Sequence, residues 1–401
     1  MSVLFFTGLS RIFGDTMLGQ IILLQSAAAI VLVACTPQGW VYVIGARDRN
    51  ELGARYRCAF TAEILGIAVG ATILIVFLAL PIAAVDQWRD GALAIFASLA
   101  IQCMGSCLAW LRATESWYRF TLWNVGPNLI RVPLIWATPW LLSHGWIPDA
   151  HSDRGLLIAI YFLTPDILRL LTVAMPIALR HYRWPGIVAT KLATKVILQN
   201  WLFDIGSAIT EIADKVVVGA FVGPQSLVAY FFARKVGVAI TMVTEPYFAE
   251  HYRRISVLDT SLDRTRIQRR IYGRGVLMAL ALVGLIIVSL FFIMKLPFTA
   301  ELLPLVVQSK FMLFAAVLFV DSQLAANRWS RFSAQLSGSG VELLMVRLAI
   351  FALFASNVWA FGVFMSGTGL VLALVLSWAL EAGYLWSRLK NTAARCSRTA
   401  L

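Results

Sequence analysis

The chain has 401 residues, of which 60% are hydrophobic and only 14% are charged. A soluble domain of this composition could not cover its apolar surface with polar groups, so the composition indicates an integral membrane protein. The net charge of +13 at pH 7 is typical of basic loops beside a membrane and requires no nucleic-acid partner.

Apolar runs of about 20 residues, the length that crosses a bilayer, can be placed at about eleven sites. They cover 17–44, 58–85, 91–111, 121–142, 155–179, 199–222, 226–249, 275–296, 303–325, 337–360 and 366–386. Residues 1–13 are apolar but too short to cross, and we expect them to be the end of a first helix whose beginning is missing. The fold class is therefore all-α, a polytopic membrane protein with about eleven transmembrane helices and an N-terminal partial helix.

Basic residues assign the two sides of the membrane. Most of the 34 lysines and arginines fall in alternate connections, notably 47–57, 180–195 and 253–274, and in the tail after 388. The connections between them carry few. Because positively charged loops stay on the cytoplasmic side, the C-terminus is predicted to lie in the cytoplasm.

The sequence contains two matching pairs of short segments at nearly the same offset, 117–120 with 329–332 and 14–18 with 223–227. The first pair shares a Trp-x-Arg-Phe motif, and the second shares a glycine and a leucine. We therefore expect an internal repeat with halves at 1–185 and 186–401, each a helix bundle. In transporters built from such repeats the substrate path lies between the halves.

Seven cations lie inside the predicted spans: Arg131, Arg169, Lys215, Arg234, Lys235, Lys310 and Arg347. A charge at mid-membrane costs about 2.5 kcal/mol or more, so such groups face a partner or a wet cavity. The set predicts a cationic path for anionic cargo. The candidate substrate-binding residues are Arg131, Asn128, Arg234, Lys235, Arg347 and Lys215. A cavity holding Arg131, Arg234 and Arg347 could bind pyrophosphate, because the guanidinium fork pairs with phosphate oxygens.

The predicted span 121–142 carries a polar stripe, since Asn124, Asn128 and Arg131 recur at helical spacing. Pro127 and Pro133 are expected to bend this helix. It could serve as a gate or as a wall of the substrate path. The alternative is a structural kink in which Arg131 makes an ion pair with another helix.

Carboxylates inside the spans are candidates for H⁺ or Na⁺ coupling. Asp204, Glu211 and Asp214 share one face of the span 199–222 with Lys215, although Glu211 could instead pair with Lys215 four residues on. Asp166 is a further candidate, and its spacing from Arg169 favours an internal salt bridge.

No enzyme is expected. The sequence has no Gly-x-Ser-x-Gly, His-Glu-x-x-His or P-loop motif, and its four histidines are dispersed. Cys103 and Cys107 share a helix face, but no further ligands lie nearby for zinc. We expect no metal and no cofactor beyond a coupling ion.

Residues 209–236 read ITEIADKVVVGAFVGPQSLVAYFFARKV. This segment resembles the seventh-helix region of Wzx-type oligosaccharide-lipid flippases, a branch of the multidrug/oligosaccharidyl-lipid/polysaccharide exporter superfamily. The matching positions are Asp214, Lys215, Gly219, Gly223, Pro224, Tyr230 and Ala233. Residues 9–19, 47–57 and 112–120 resemble the loops after helices one, two and four of that family.

The resemblance implies two bundles of six helices around a central cavity, as in MATE transporters. It also implies a bacterial inner membrane and a flippase that moves undecaprenyl-pyrophosphate-linked oligosaccharide, the repeat unit of O-antigen, capsule or exopolysaccharide, by alternating access. The implied partners are the lipid-linked oligosaccharide, the bilayer, and polysaccharide polymerase and export machinery. The alternative is a MATE-like drug or metabolite cation antiporter, whose cavity would be rich in acid.

Overall fold

The computed structural model describes residues 2–79 (other than 38, 45 and 47), 89–146, 154–185, 212–240 (other than 239), 261–295, 309–320 and 340–399, with 193, 197, 201 and 307 between them. Within these ranges the helices are joined by short turns and irregular segments, and no strand is present. The predicted all-α class is confirmed.

Nine α-helices and one π-helical turn occupy the described residues up to 185. They are α1 Ser2–Phe13, α2 Asp15–Cys35, α3 Trp40–Ile44, α4 Arg49–Ala79, α5 Arg89–Gln102, α6 Gly105–Ala113, α7 Trp117–Ser143, α8 Arg154–Arg169, the π-turn Leu170–Ala174, and α9 Met175–His181. Further on, the described helices are α10 over 212–221, α11 over 224–238, α12 Ser261–Lys295, α13 Phe311–Val320 and α14 Gly340–Thr399.

Six of the described helical stretches are long and apolar enough to cross a bilayer. They are Asp15–Cys35, Arg49–Val76, Gly91–Ala113, Gly155–His181, Gly273–Phe292 and Gly367–Tyr384. Each overlaps one of the predicted spans. The helix α7 fills the predicted span 121–142 and runs unbroken through Pro127, Pro133 and Pro139. Parts of the predicted spans 199–222, 226–249, 303–325 and 337–360 lie outside the described residues.

Two predicted spans differ from the helices. The apolar run 17–44 is interrupted because α2 ends at Cys35, where Thr36 takes an extended conformation and Pro37 follows. The run 91–111 is broken between α5 and α6, where Met104 leaves helical geometry. At this break Gly105 N–H bonds back to the carbonyl of Cys103 at 2.7 Å, so the regular helical ladder stops.

The long helical segment α14 reverses direction within 361–369. In a straight helix, residues 361 and 369 would lie about 12 Å apart. Here they are so close that a Cβ built on Gly369 would collide with the carbonyl of Phe361. The two spans predicted at 337–360 and 366–386 are therefore the two limbs of a hairpin. Glycine at 369 leaves room for this close backbone approach.

The chain divides into two compact units, Met1–Gly14 with Gln20–Val216, and Asp15–Gly19 with Val217–Leu401. In the first unit α5 lies along α8, and α8 and α1 both contact α7. Its largest described core cluster includes Tyr56, Cys107, Trp123 and Ile177. The predicted halves 1–185 and 186–401 stay a prediction.

The glycines of the predicted repeat occupy equivalent turns. Gly14 has φ 78° and Gly223 has φ 100°, and a helix begins directly after each. Leu18 and Leu227, which follow them at the same spacing, are both fully buried. Positive φ favours glycine, which explains the shared residue type. The partner motif at 329–332 lies outside the described residues.

Two glycines of α4 should respond in opposite directions to alanine. At Gly66 a Cβ would meet the backbone of Cys35 and lie 2.7 Å from Thr36 Cα, whereas nothing lies within 4 Å of the corresponding position at Gly53. We expect Gly66→Ala to lower the thermal unfolding midpoint of the solubilised protein. Gly53→Ala should raise its stability by up to about 1 kcal/mol through helix propensity. Equal shifts would contradict the close approach of α4 to the end of α2.

Candidate functional site

Three charged side chains meet inside the first unit and form what we call the charge cluster: Arg131, Asp166 and Arg169. Arg131 is 8% exposed, Arg169 is 9% exposed and Asp166 is fully buried. Arg131 on α7 makes an ion pair with Asp166 on α8. Arg169 Nη1 lies 3.1 Å from Asp166 Oδ1, one helical turn along α8. Both the predicted Asp166–Arg169 salt bridge and the alternative interhelical pairing of Arg131 are confirmed.

A third helix contributes polar groups to the charge cluster. On α5, Ser98 Oγ donates to Asp166 Oδ2 at 2.5 Å, and Gln102 Nε2 donates to the same oxygen at 3.0 Å. Arg131 also donates to the carbonyl of Phe162 at 3.0 Å. Asp166 Oδ2 therefore accepts hydrogen bonds from both α5 and α7. Ser98 and Gln102 were not among the predicted site residues, because neutral side chains in an apolar run carry no charge signal.

The charge cluster holds two guanidinium groups and one carboxylate, so its formal charge is +1. The Nε–H groups of Arg131 and Arg169 are buried and have no hydrogen-bond partner among the described residues. A buried donor without an acceptor costs about 1–3 kcal/mol. The cluster thus has excess positive charge and unused donors, which is the chemistry that binds an anion.

Aromatic rings and an irregular turn surround the two arginines. The Arg169 guanidinium lies 5.0 Å from the Trp123 ring centroid, and that of Arg131 lies 5.9 Å from the Phe5 ring. The π-turn Leu170–Ala174 begins directly after Arg169. Such turns widen a helix locally and are frequent at functional sites.

The other predicted site residues of the first unit do not join the charge cluster. Asn128 is half-buried on α7 and has no side-chain hydrogen bond to Arg131 or Asp166. Asp214 and Lys215 are neighbours on α10, with Lys215 Nζ 3.7 Å from Asp214 Oδ1. Glu211, the alternative partner of Lys215, and Asp204 lie outside the described residues.

Four of the cations inside the predicted spans belong to the second unit: Arg234, Lys235, Lys310 and Arg347. Arg234 and Lys235 are half-buried on α11, and Lys235 Nζ lies 5.2 Å from the Phe231 ring. Lys310 donates to Ser226 Oγ at 2.8 Å. The Arg347 backbone is helical, but its side chain lies outside the described part of the chain. The role of these residues in substrate binding stays a prediction.

Acidic side chains buried in the described residues include one that the sequence analysis overlooked. Glu63 on α4 is fully buried and contacts Ser106 at the start of α6. It stands alone in a long apolar run, and that isolation was the signal that could have identified it. Among the described residues, no three His, Cys, Asp or Glu side chains group as a metal site would require.

Comparison with known proteins establishes the fold. No family model matches the sequence, and no curated protein does. The fold is similar to an inward-facing multidrug resistance MATE family transporter of the MOP superfamily, with a TM-score of 0.63, 14% identity, and coverage of 100% of this chain and 94% of that one. It is also similar to an outward-facing multidrug resistance MATE family transporter of that superfamily, with a TM-score of 0.54, 14% identity, and coverage of 94% and 86%.

A third similar structure is a MOP superfamily transporter from Pyrococcus furiosus, with a TM-score of 0.50, 14% identity, and coverage of 98% of this chain and 95% of that one. That protein is described as having a binding pocket of reverse polarity, which suggests a different function for it. Together the comparisons show that this polytopic chain has a MATE-like fold.

Replacing Asp166 tests the electrostatics of the charge cluster. Asp166→Asn leaves two buried guanidinium groups without a counter-charge, so we expect it to cost about 3–5 kcal/mol of unfolding free energy. Adding Arg131→Gln should recover part of that loss. We expect the double-mutant cycle to give an interaction free energy of about 0.5–3 kcal/mol between the two side chains. Unfolding of the purified protein in mixed detergent would measure both.

The surface pair Glu51–Arg55, 2.6 Å apart on α4, provides the control. Glu51→Gln should cost about 1 kcal/mol or less, because solvent screens exposed ion pairs. If the double variant loses as much unfolding free energy as the two single variants together, Asp166 and Arg131 do not interact.

Proposed function

We propose that this protein is a membrane transporter of an anionic lipid-linked substrate, a flippase for undecaprenyl-pyrophosphate-linked oligosaccharide in the bacterial inner membrane. The observation that carries the proposal is the excess of buried arginine over carboxylate in the charge cluster. The MATE-like fold supports the class of transporter, and the sequence resemblance to Wzx-type flippases supports the substrate.

The chemistry of the charge cluster suits a phosphate group. Arg131 and Arg169 share one carboxylate, and each keeps a buried Nε–H without an acceptor among the described residues. A guanidinium fork binds phosphate oxygens with two parallel, charge-assisted hydrogen bonds. In the proposed function, a pyrophosphate supplies the negative charge that the cluster lacks, and alternating access carries the oligosaccharide across. Coupling to H⁺ or Na⁺ and contact with polymerase and export machinery belong to the same proposal.

A cation antiporter is the second candidate, favoured by similarity to multidrug resistance MATE family transporters. Such a protein needs carboxylates to bind cationic cargo. Asp166 is poorly suited to this task because two arginines already neutralise it. The Asp214 carboxylate is also close to a cation, since Lys215 Nζ lies 3.7 Å from Asp214 Oδ1.

Deletion of the gene distinguishes the two candidates. We expect the lipid-linked oligosaccharide to accumulate and the surface polysaccharide to disappear, with both restored by the 401-residue chain. Intact polysaccharide together with raised drug sensitivity would favour the cation antiporter. No change in either measurement would contradict the flippase proposal.

Point variants on α7 test the role of the guanidinium directly. Arg131→Gln leaves Asp166 paired with Arg169, so we expect the protein to insert at normal levels while surface polysaccharide falls about tenfold or more, the equivalent of about 1.4 kcal/mol. Arg131→Lys should restore part of it, because it keeps the charge but lacks the planar fork.

Arg119→Gln is the matched control, since Arg119 is exposed on the same helix. It should leave polysaccharide unchanged. Wild-type polysaccharide in cells that carry Arg131→Gln at normal membrane levels would rule out a direct contact between Arg131 and the cargo.

A further inference from the structure

Glu63 stands apart from the charge cluster and has a different environment. It lies on α4 within the stretch Arg49–Val76, which is long and apolar enough to cross the bilayer, and its exposed fraction is zero. Glu63 is not part of the charge cluster, where the cargo is proposed to bind. A fully buried carboxylate inside a span is costly and requires an explanation.

The hydrogen bonds to Glu63 come from donors at the ends of helices. Ser106 N–H donates to Glu63 Oε1 at 2.9 Å and to Oε2 at 3.2 Å, and Ser106 Oγ donates to Oε2 at 2.5 Å. The backbone of Gly39 also hydrogen-bonds to this carboxylate. Ser106 N–H is free to do so because the α5–α6 break removes its intrahelical acceptor. Glu63 therefore joins α4, Gly39 and the N-terminus of α6.

None of the ion pairs among the described residues involves Glu63. The titratable groups that face it are Tyr56 on its own helix, Cys103 at the break and Cys107 on α6. The Tyr56 hydroxyl and Cys107 Sγ form a hydrogen bond of 3.6 Å. Further out, the Trp110 ring that contacts Tyr56 lies 4.4 Å from the His181 ring. Glu63 thus forms no ion pair with a cation among the described residues.

Two opposing effects act on the carboxylate. Burial without a cation favours the neutral acid, because an ion in an apolar interior loses its hydration. The hydrogen bonds and the positive end of α6 favour the anion. Because these effects oppose each other, a change in the hydrogen bonds at the α5–α6 break shifts the balance between the acid and the anion. A sodium ion would bind Glu63 less readily than a proton does, because the N–H groups that point at the carboxylate repel a metal cation.

We propose that Glu63 is a proton-binding site that controls the helix break between α5 and α6. When ionised, Glu63 accepts the Ser106 and Gly39 hydrogen bonds and holds α6 against α4. When an oxygen takes a proton from water, it becomes a donor, one acceptor position is lost, and the attraction to the positive end of α6 ends. The break is then free to straighten or open, and loss of the proton to water restores it. This switch depends on the geometry of α4 and α6 and not on the cargo.

Cys103 provides a native reporter at the break. It is partly exposed, as is Cys35, which serves as the internal reference for the effect of pH on thiol reactivity. We would alkylate the purified, detergent-solubilised protein with N-ethylmaleimide over a pH series and measure both sites by peptide mass spectrometry. The ratio of Cys103 to Cys35 labelling rates should rise several-fold at low pH. In Glu63→Gln, which mimics the protonated acid, it should be high at every pH.

Glu51→Gln is the matched control, because it is the same substitution on the same helix at an ion-paired, partly exposed carboxyl. It should behave like the wild type. Infrared difference spectra between high and low pH give a second readout: the band of a protonated carboxyl should vanish in Glu63→Gln and remain in Glu51→Gln.

Ser106→Ala keeps the test decisive if Glu63→Gln does not fold. Loss of the hydroxyl donor removes a contact that favours the anion, so the change in Cys103 labelling should move to higher pH. A labelling ratio that stays flat with pH in the wild type, or a pH dependence that Glu63→Gln leaves intact, would overturn the proposal and make Glu63 a permanently ionised cap of α6. Neither result depends on transport, so failure here leaves the flippase proposal standing.

Discussion

The described part of the first unit depends on one carboxylate oxygen. Asp166 Oδ2 on α8 accepts from Arg131 on α7 and from Ser98 and Gln102 on α5. In an apolar interior each of these polar groups would be costly alone, and their mutual hydrogen bonds offset part of that cost. Arg169 completes the arrangement from α8 itself. The three helices are therefore fixed to one another by polar contacts, where lipid supplies little hydrophobic driving force.

The same constraint acts differently at Glu63. At Asp166 the negative charge is more than neutralised by two arginines, Arg131 and Arg169. Around Glu63 only hydrogen bonds and the end of a helix oppose the cost of burial. Two acids in one compact unit thus have different environments. One fixes the helices, and the other is sensitive to protons.

Much of this fold could be predicted from the sequence, because hydrophobic length dictates where spans lie and local spacing dictates the Asp166–Arg169 pair. An interhelical ion pair of Arg131 could only be offered as an alternative with no named partner, since Asp166 is 35 residues away and meets Arg131 through tertiary structure. The break at Cys103–Met104 was missed because the apolar pattern runs straight through it. Glu63 has no charged residue three or four positions away on its helix, and its hydrogen-bond partner Ser106 is 43 residues distant, so local spacing does not predict its environment.

The order of the helices along the chain affects how the protein is made. Arg131 leaves the ribosome 35 residues before Asp166, the acid that neutralises it. At ordinary rates of synthesis this interval lasts about two to seven seconds. During that time α7 carries an unpaired cation and three prolines, so it is a poor candidate for stable insertion alone. We therefore expect α7 to integrate stably only after α8 has been made, so that consecutive helices of this unit insert cooperatively.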